Sequence, residues 1–311
     1  MQPHELPHHL SAITQNISRV VRGAEEHVRH CTIAIMVRGH VLLEGAPGTA
    51  KTLLSRTLAR CLGLELGRVQ CTPDLMPGDV LGANVFDFRS QSFVLTRGPV
   101  FTEFLLVDEI NRTPPKTQSA LLQAMQERAV SIDGTTHELA DAFTVIATQN
   151  PIESEGTYPL PEAQLDRFLF KLDVGYPPQE QEVEAVLAHC TSAGMPDLDA
   201  LGVETMFTAD TVAQLWSVPG QVRIERDIAQ YVVALARATR NHPAVEVGLS
   251  PRAAGMLAAA SRAAAALEGR DYVVPDDAKE LLAPLGRHRL VLHPEAEMDG
   301  FTSQQVITEV A

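Results

Sequence analysis

A glycine-rich turn that ends in lysine and threonine is the first feature of this sequence that indicates chemistry. It nearly matches the phosphate-binding pattern G-x-x-x-x-G-K-[ST] and reads Gly45, Ala46, Pro47, Gly48, Thr49, Ala50, Lys51, Thr52. Small residues let backbone N–H groups converge on phosphate oxygens, and the following helix directs its positive N-terminus at the same anion. Lys51 would supply a mobile charge to the β- and γ-phosphates, and the Thr52 hydroxyl would ligate Mg²⁺. The turn therefore predicts a triphosphate site.

The pattern departs at Ala50, where the second glycine is expected. Alanine fits if this residue is already helical, since a right-handed helix does not require glycine. We therefore expect helical backbone angles at Ala50. An ordinary glycine turn in front of a helix is the alternative interpretation of the whole segment.

A pair of neighbouring carboxylates, Asp108 and Glu109, directly follows the apolar run at residues 104–107. A buried strand that ends at the carboxyl edge of a sheet delivers such residues to a ligand crevice. Asp108 could hold Mg²⁺ through water, and Glu109 could orient and deprotonate an attacking water. An apolar run ending in Asp-Glu is common on its own, so the upstream turn is what favours the catalytic interpretation.

The elements needed to position these groups can be read from the periodicity of the sequence. Apolar runs at residues 40–43, 104–107 and 143–148 predict buried strands, and amphipathic patterns predict helices. The predicted helices cover residues 11–38, 52–60 and 115–127. This alternation predicts an α/β fold in which a parallel sheet is covered on both faces by helices. Two further segments, 85–95 and 130–139, have the alternation and turn residues of β-hairpins.

After residue 175 the pattern becomes helical. Ile224, Ile228, Tyr231, Val232 and Leu235 are spaced to share one helix face. Ser250 and Pro251 are typical of a helix start, and Gly269 can end that helix. A last helix is predicted over residues 271–285. These patterns place a domain boundary near residue 175, between an α/β core at 1–175 and an all-helical unit at 176–311.

The composition excludes several classes of protein. The chain has 311 residues and a formal net charge of −14, which disfavours a nucleic-acid partner because such proteins need a dense positive face. We find no apolar run of 18 residues, so no membrane insertion is expected. Cys31, Cys61, Cys71 and Cys190 are scattered without a CxxC pair, which is typical of reduced core thiols in a cytoplasmic protein.

Several longer segments resemble the MoxR branch of the AAA+ ATPases, and the resemblance covers nearly the whole chain in order. It implies an AAA+ P-loop core with a C-terminal helical lid, and ATP and Mg²⁺ as ligands. The segments are Gly39-His40-Val41-Leu42-Leu43-Glu44-Gly45, Lys51-Thr52, Asp108-Glu109-Ile110-Asn111-Arg112, Pro114-Pro115-Lys116-Thr117-Gln118-Ser119-Ala120-Leu121-Leu122, Ala147-Thr148-Gln149-Asn150-Pro151 and Leu160-Pro161-Glu162-Ala163-Gln164-Leu165-Asp166-Arg167-Phe168.

The resemblance implies roles for three further residues. Asn150 resembles sensor 1, which positions the lytic water; the alternative is an ordinary turn residue after a strand. Arg167 resembles the arginine finger that reaches the neighbouring subunit's nucleotide; the alternative is a surface ion pair with Asp166 or Glu162. Arg252 resembles sensor 2 on the lid and would bind the nucleotide; the alternative is a solvated arginine near a helix cap. A guanidinium stays charged and can bind phosphate oxygens in pairs.

The same resemblance implies a homo-oligomeric ring, expected to be a hexamer. It also implies a client such as a von Willebrand A domain protein, which the ring would remodel, mature or activate. Both hairpins would face the central channel, and Phe86, Phe88 and Phe93, or residues near Asp133-Gly134, would contact a partner. Aromatic packing within the core is the alternative for these phenylalanines. The alternatives for the function are the motor subunit of a metal chelatase, a low-turnover nucleotide switch and a DNA-acting subunit.

Overall fold

A five-stranded parallel sheet forms the centre of the first half of the molecule. The computed structural model describes residues 1–152, 156–189 and 196–311. The strands are β1 (Val41–Glu44), β2 (Leu66–Gln70), β3 (Gly82–Asp87), β4 (Ser92–Arg97), β5 (Phe104–Asp108), β6 (Ala129–Ile132), β7 (Thr135–Glu138), β8 (Thr144–Gln149), β9 (Phe170–Asp173), β10 (Val245–Val247) and β11 (Val291–Leu292).

The helices of the described residues are distributed over the whole chain. They are α1 (Leu6–Ser18), α2 (Glu25–Met36), α3 (Lys51–Cys61), α4 (Pro77–Leu81), α5 (Pro115–Glu127), α6 (Glu162–Leu165), α7 (Gln179–His189), α8 (Ala209–Gln221), α9 (Arg226–Asn241), α10 (Pro251–Leu267), α11 (Pro275–Gly286), α12 (Pro294–Met298) and α13 (Ser303–Val310).

The sheet order is β2-β5-β8-β1-β9, and every neighbouring pair is parallel. The carboxyl ends of β1, β5 and β8 therefore lie side by side at one edge of the sheet. Helices cover the sheet, as the sequence predicts. The edge strands β2 and β9 were not predicted, because they are short and partly exposed and so alternate in polarity instead of forming apolar runs.

Some predicted helix boundaries were wrong. Residues 11–38 form two helices, α1 and α2, with Gly23 in the left-handed region between them at φ +71°. The last predicted helix begins at Pro275 and not at residue 271, because Asp277 accepts the Val274 N–H at the start of α11. Ile224 lies before α9 and does not belong to its face.

The second half is helical, as expected, and adds a short antiparallel ribbon of β10 and β11. Ser250 caps α10, since its Oγ accepts the Ala253 N–H at 3.1 Å, and Gly269 follows with φ +76°. The helices α8 and α10 pack against α2, so one apolar core includes residues from both sides of residue 175. The domain boundary at that residue stays a prediction.

Three of the four cysteines are core thiols, as predicted. Cys31, Cys61 and Cys71 are free and buried, and burial raises the pKa of each thiol. Cys190 lies outside the described residues. Within the described part of the chain, no helix combines the length and apolar character needed to cross a bilayer.

Three buried histidines predict a loss of stability in mild acid. Burial lowers the pKa of His30 and of His40 to about 4 and that of His288 well below its usual value. Below pH 6.5 the unfolded chain binds more protons than the native one, so the stability present above that pH is lost as the pH falls towards 4. We expect urea unfolding to give a clearly lower free energy of unfolding at pH 5 than at pH 7. The control variant His293→Gln removes an exposed histidine and should keep this difference. Equal free energies of unfolding at the two pH values would contradict the lowered pKa values of the buried histidines.

Candidate functional site

A cleft of about 760 Å³ lies at the carboxyl edge of the sheet. Pockets of this size accommodate ligands as large as a nucleotide. The cleft brings together the residues of the glycine-rich turn with the ends of β2, β5 and β8; its lining includes Pro47, Gly48, Thr49, Ala50, Lys51, Thr52, Arg68, Gln70, Asp108, Glu109, Thr148, Gln149 and Asn150.

Lys51, the first residue of α3, is held against the turn that precedes it. Its Nζ donates to Gly45 O at 2.8 Å, to Ala46 O at 2.7 Å and to Thr49 Oγ1 at 3.2 Å. Burial lowers the pKa of Lys51, and the nearby Glu109 and Asp108 carboxylates oppose this shift. At Gly45 a Cβ atom would lie 2.2 Å from Val174 O, so only glycine fits there. The turn thus keeps a cation beside the N–H groups that begin a helix, as a phosphate site requires.

The backbone angles of the turn correct one prediction. Ala50 has φ +62° and ψ +18°, which is left-handed and not helical, and Gly48 also has positive φ, +81°. The chain has to reverse sharply between β1 and α3, and two left-handed residues produce that reversal. A side chain in this region costs about 1–2 kcal/mol. Ala50 is therefore a strained position where glycine would be relaxed.

Asp108 is buried at the end of β5, where three side chains donate to it. Thr52 Oγ1 lies 2.9 Å from Oδ1, Arg68 Nε lies 2.8 Å from Oδ2, and Thr148 Oγ1 lies 3.5 Å from Oδ1. The Thr52 hydroxyl and the Asp108 carboxylate are the oxygen donors that Mg²⁺ prefers. The residues present therefore fit a magnesium ion between the turn and β5.

Glu109 follows Asp108 in an unusual conformation with φ +60°. Its N–H donates to Thr148 Oγ1 at 2.9 Å, and its carboxylate accepts from Arg112 Nε at 3.0 Å. The side chain is 31% exposed and reaches the cleft. Glu109 is thus placed to act on water, but in this conformation Arg112 neutralises it.

Asn150 is buried just beyond the end of β8 and lines the same cleft. Its Oδ1 accepts the Ile152 N–H at 3.1 Å, and its backbone carbonyl accepts from Asn111 Nδ2 at 3.2 Å. The turn interactions proposed as the alternative are present. They also hold the Asn150 side chain in the lining of the cleft, beside Lys51 and Asp108.

Neither Arg167 nor Arg252 is among the described residues that line this cleft. Both line a second cavity of about 220 Å³, together with Arg38 and Arg128. Arg167 Nε donates to Gln126 Oε1 at 3.0 Å, and Arg252 Nη1 lies 3.5 Å from Asp166 Oδ2. The sequence placed Arg252 on the nucleotide held by Lys51, whereas the structure places it beside Arg167.

The other two arginines of this cavity are bound to nearby carbonyls. Arg128 donates to Phe143 O at 3.0 Å and to Arg38 O at 2.7 Å, and Arg38 donates to Asp141 O at 3.1 Å. Arg252 is 57% exposed. Four guanidinium groups therefore line the cavity, and two of them also have carboxylate partners, Asp141 for Arg38 and Asp166 for Arg252.

Sequence reasoning missed three residues that line the first cleft, Arg68, Gln70 and Thr148, and it missed Arg112, which pairs with Glu109. Arg68 and Gln70 lie on β2, which the apolar pattern did not reveal. Thr148 is the penultimate residue of β8, so the rule that ligands bind at the carboxyl ends of strands could have identified it. Arg112 belongs to the segment 108–112 that resembles the family, but its pairing with Glu109 depends on the left-handed backbone at Glu109.

The two hairpins are formed as predicted and touch each other, because Asn84 Nδ2 donates to Asp133 Oδ2 at 2.8 Å. Phe86 packs edge-to-face against Phe88 and Phe93 at centroid distances of 5.3 and 5.4 Å. Phe88 is 84% exposed and Phe93 70%. These rings form a surface cluster, so packing within the core does not explain them.

Two family matches agree with this geometry. Residues 40–170 match the ATPase family associated with various cellular activities (AAA), and residues 237–310 match the AAA lid domain. The first range contains the turn, the acidic pair, Asn150 and Arg167, and the second contains Arg252.

Curated relatives align over almost the whole chain. An uncharacterised Bacillus subtilis protein, YeaC, is 42% identical over 97% of this chain and 92% of its own length. Chaperone MoxR1 of Mycobacterium tuberculosis is 41% identical over 97% of this chain and 81% of its length. Protein MoxR of Methylorubrum extorquens is 33% identical over 91% and 88%.

The fold also matches a solved structure. The crystal structure of a candidate ATPase from Cytophaga hutchinsonii superposes with a TM-score of 0.89 and 36% identity. The match covers 99% of this chain and 94% of that one. The similarity therefore extends through both the sheet and the helical second half.

The strain at Ala50 predicts that Ala50→Gly stabilises the protein. We expect the free energy of unfolding to rise by roughly 0.5–1 kcal/mol, because loss of the left-handed penalty exceeds the added flexibility of the unfolded chain. Urea denaturation measures this. The matched control Ala229→Gly, on the exposed face of α9, should instead lower stability by about 1 kcal/mol. Equal destabilisation by both variants would show that Ala50 is not strained.

Proposed function

Because the chain belongs to the MoxR family of AAA+ ATPases, we propose that it hydrolyses ATP to ADP and phosphate in a ring of identical subunits. The ring would use this cycle to remodel, mature or activate a partner protein. One observation carries the proposal: Lys51, Thr52, Asp108, Glu109 and Asn150 line a single cleft at the carboxyl edge of the sheet. A cation, two metal-binding oxygens, a general base and an amide are the groups that phosphoryl transfer needs.

Each residue has a defined task in the proposed reaction. The turn from Gly45 to Thr52 binds the phosphates, with Lys51 exchanging carbonyl partners for phosphate oxygens. Thr52 and Asp108 would hold Mg²⁺, which neutralises charge developing on the phosphates. Glu109 takes a proton from a water that attacks the γ-phosphorus, and the bond to the β-phosphate oxygen breaks. Asn150 orients that water.

Glu109 has to leave Arg112 before it can act as a base. The 3.0 Å ion pair lowers the availability of its carboxylate, so we propose that ATP binding or assembly separates the two side chains. This pair is also the observation that favours a second candidate function, a low-turnover nucleotide switch. In a switch Glu109 would stay paired, and the work would come from binding alone.

The second cavity supports an assembly in which neighbours complete each other's sites. Arg167 and Arg252 lie together, away from the cleft of their own chain. We therefore propose that both arginines bind the nucleotide of the adjacent subunit, which revises the expectation that Arg252 acts within its own chain. Guanidinium groups supplied by a neighbour would make hydrolysis depend on assembly. A hexamer remains the proposed ring size.

The client and the compartment are proposed from the family. A relative is named Chaperone MoxR1, which supports a client protein as the substrate of the mechanical step. A von Willebrand A domain protein is the proposed client class, and the cytoplasm the proposed compartment. The exposed cluster of Phe86, Phe88 and Phe93 supplies an apolar surface that such a client could bind.

Glu109→Gln is expected to lower steady-state ATP hydrolysis by about 100-fold or more, because it removes the general base. Its dissociation constant for ATP should stay close to that of the wild type, since Lys51 and the turn are intact. The control Glu127→Gln changes an exposed carboxylate on α5 and should leave turnover unchanged. Equal rates for Glu109→Gln and the wild type would favour the nucleotide switch.

The aromatic cluster predicts a separation between client coupling and basal activity. Phe88→Ala with Phe93→Ala should abolish stimulation of ATP hydrolysis by a client captured with Glu109→Gln and ATP. ATP affinity and thermal stability should change little, because both rings are largely exposed. Met298→Ala, which removes an apolar side chain that is 87% exposed on α12, is the control. Stimulation that persists in the double variant would count against a role for this hairpin.

A further inference from the structure

The short segment Asp166–Leu169 connects α6 to β9 and contains Arg167. Its backbone is bound by one guanidinium from the C-terminal region, that of Arg289. Arg289 Nη2 donates to Asp166 O at 3.0 Å and to Phe168 O at 2.6 Å, and Nη1 donates to Leu169 O at 3.1 Å. Three carbonyls on both sides of Arg167 are thus tied to a single side chain.

The remaining donors of Arg289 are also occupied. Its Nε donates to Asp166 Oδ1 at 2.7 Å, and its Nη1 also donates to Leu285 O on α11. Neighbouring His288 adds a contact from its Nε2 to Phe168 O at 3.0 Å. The segment that contains Arg167 is therefore bound by two consecutive residues that follow α11 and its C-cap residue, Arg287.

The hydrogen bonds from Arg289 to Asp166–Leu169 form a clamp, and burial makes this clamp difficult to release. The Arg289 side chain is only 3% exposed, and burial lowers its pKa while the Asp166 carboxylate opposes the shift. A buried guanidinium that loses its partners becomes an uncompensated charge, which is strongly unfavourable. Any displacement of α11 should therefore carry Asp166–Leu169 with it instead of breaking these hydrogen bonds.

We propose that Arg289 is a positioning residue for Arg167. It fastens the backbone around Arg167 to the helical second half, so that a movement of those helices changes the reach of Arg167 towards the neighbouring subunit. The Asp166 carboxylate is the counter-charge of the clamp, and it also binds Arg252. The inference rests on the proposed function, in which Arg167 acts on the adjacent subunit's nucleotide.

The position of Arg167 makes such coupling physically effective. The Arg167 side chain points away from Arg289 and donates to Gln126 on α5. The backbone at residues 166–169 therefore sets the position from which the Arg167 side chain extends. A long side chain that must bind a phosphate is sensitive to a displacement of its base of about 1 Å, which can cost about 100-fold in rate. Arg289 therefore controls geometry without touching the nucleotide.

The test compares Arg289→Lys with a matched arginine that binds elsewhere. Lysine keeps the charge, but an ammonium has three donors on one atom and cannot span the separated acceptors. Arg270→Lys is the control, because Arg270 pairs bidentately with buried Asp277 at 2.9 and 2.6 Å within the same helical region. Arg289→Lys should lower turnover by roughly 10- to 100-fold with unchanged ATP affinity, and Arg270→Lys should retain turnover.

Mixing with a second variant distinguishes positioning from general damage. Lys51→Ala protomers have no functional cleft but contain an intact Arg167 for their neighbours. Arg289→Lys mixed with Lys51→Ala should therefore regain activity severalfold, and Arg167→Ala mixed with Lys51→Ala is expected to show the same gain. If Arg289→Lys stays inactive in the mixture, or retains wild-type turnover alone, the inference is wrong.

The variant Arg167→Ala distinguishes failure of the proposed function from failure of the positioning role of Arg289. If Arg167→Ala alone keeps full turnover, or is not rescued by Lys51→Ala, the proposed action of Arg167 between subunits is wrong. The inference about Arg289 is then wrong as well. If Arg167→Ala behaves as expected and Arg289→Lys does not, only the positioning role fails. Should Arg289→Lys not fold by circular dichroism, Asp166→Asn removes the counter-charge alone and must show the same rescue.

Discussion

Three adjacent parallel strands, β5, β8 and β1, bring the groups that line the cleft, namely Lys51, Thr52, Asp108, Glu109 and Asn150, to one edge of the sheet. Residues 104–107 of β5 are completely buried, and Leu106 pairs with Ile146 of β8, which pairs in turn with Val41 of β1. This register brings the ends of all three strands to the same level, so the turn after β1, the acidic pair after β5 and Asn150 after β8 meet. A shift of one residue in any strand would turn its buried side chains to the wrong face.

The polar groups that line the cleft bind one another in this structure, at the positions where the proposed ligands would bind. Lys51 contacts backbone carbonyls, Thr52 and Arg68 contact Asp108, and Arg112 neutralises Glu109. Each of these bonds satisfies a charged or polar group that would be costly to leave alone in a partly buried site. Binding of a triphosphate with its metal would exchange these contacts for stronger ones, so the free energy of ligand binding can be used to rearrange the surrounding elements.

Most of the fold could be predicted from the sequence, and the exceptions have physical reasons. The central strands are buried on both faces and therefore read as apolar runs, whereas β2 and β9 at the edges alternate in polarity and were missed. The turn and the acidic pair were identified because their chemistry depends on residue type and spacing. The left-handed angle of Ala50 depends on the path of the chain and was predicted wrongly.

Tertiary contacts were the least accessible part of the site. Arg252 was expected beside the nucleotide of its own chain, but its location depends on how the helical half packs on the sheet. The role of Arg289 could not be predicted, because its partners at Asp166, Phe168 and Leu169 are mainly backbone carbonyls and leave no pattern in the sequence. The ion pair of Glu109 with Arg112 is likewise set by one backbone angle.

The proposed function depends on Lys51 binding a triphosphate beside Asp108 and Glu109. The most direct test measures the dissociation constant of a fluorescent ATP analogue for the wild type and for Lys51→Ala, with Mg²⁺ and with a chelator. We expect tight, magnesium-dependent binding to the wild type and a large loss of affinity in Lys51→Ala. The same affinity for both proteins, or binding that does not respond to magnesium, would contradict it.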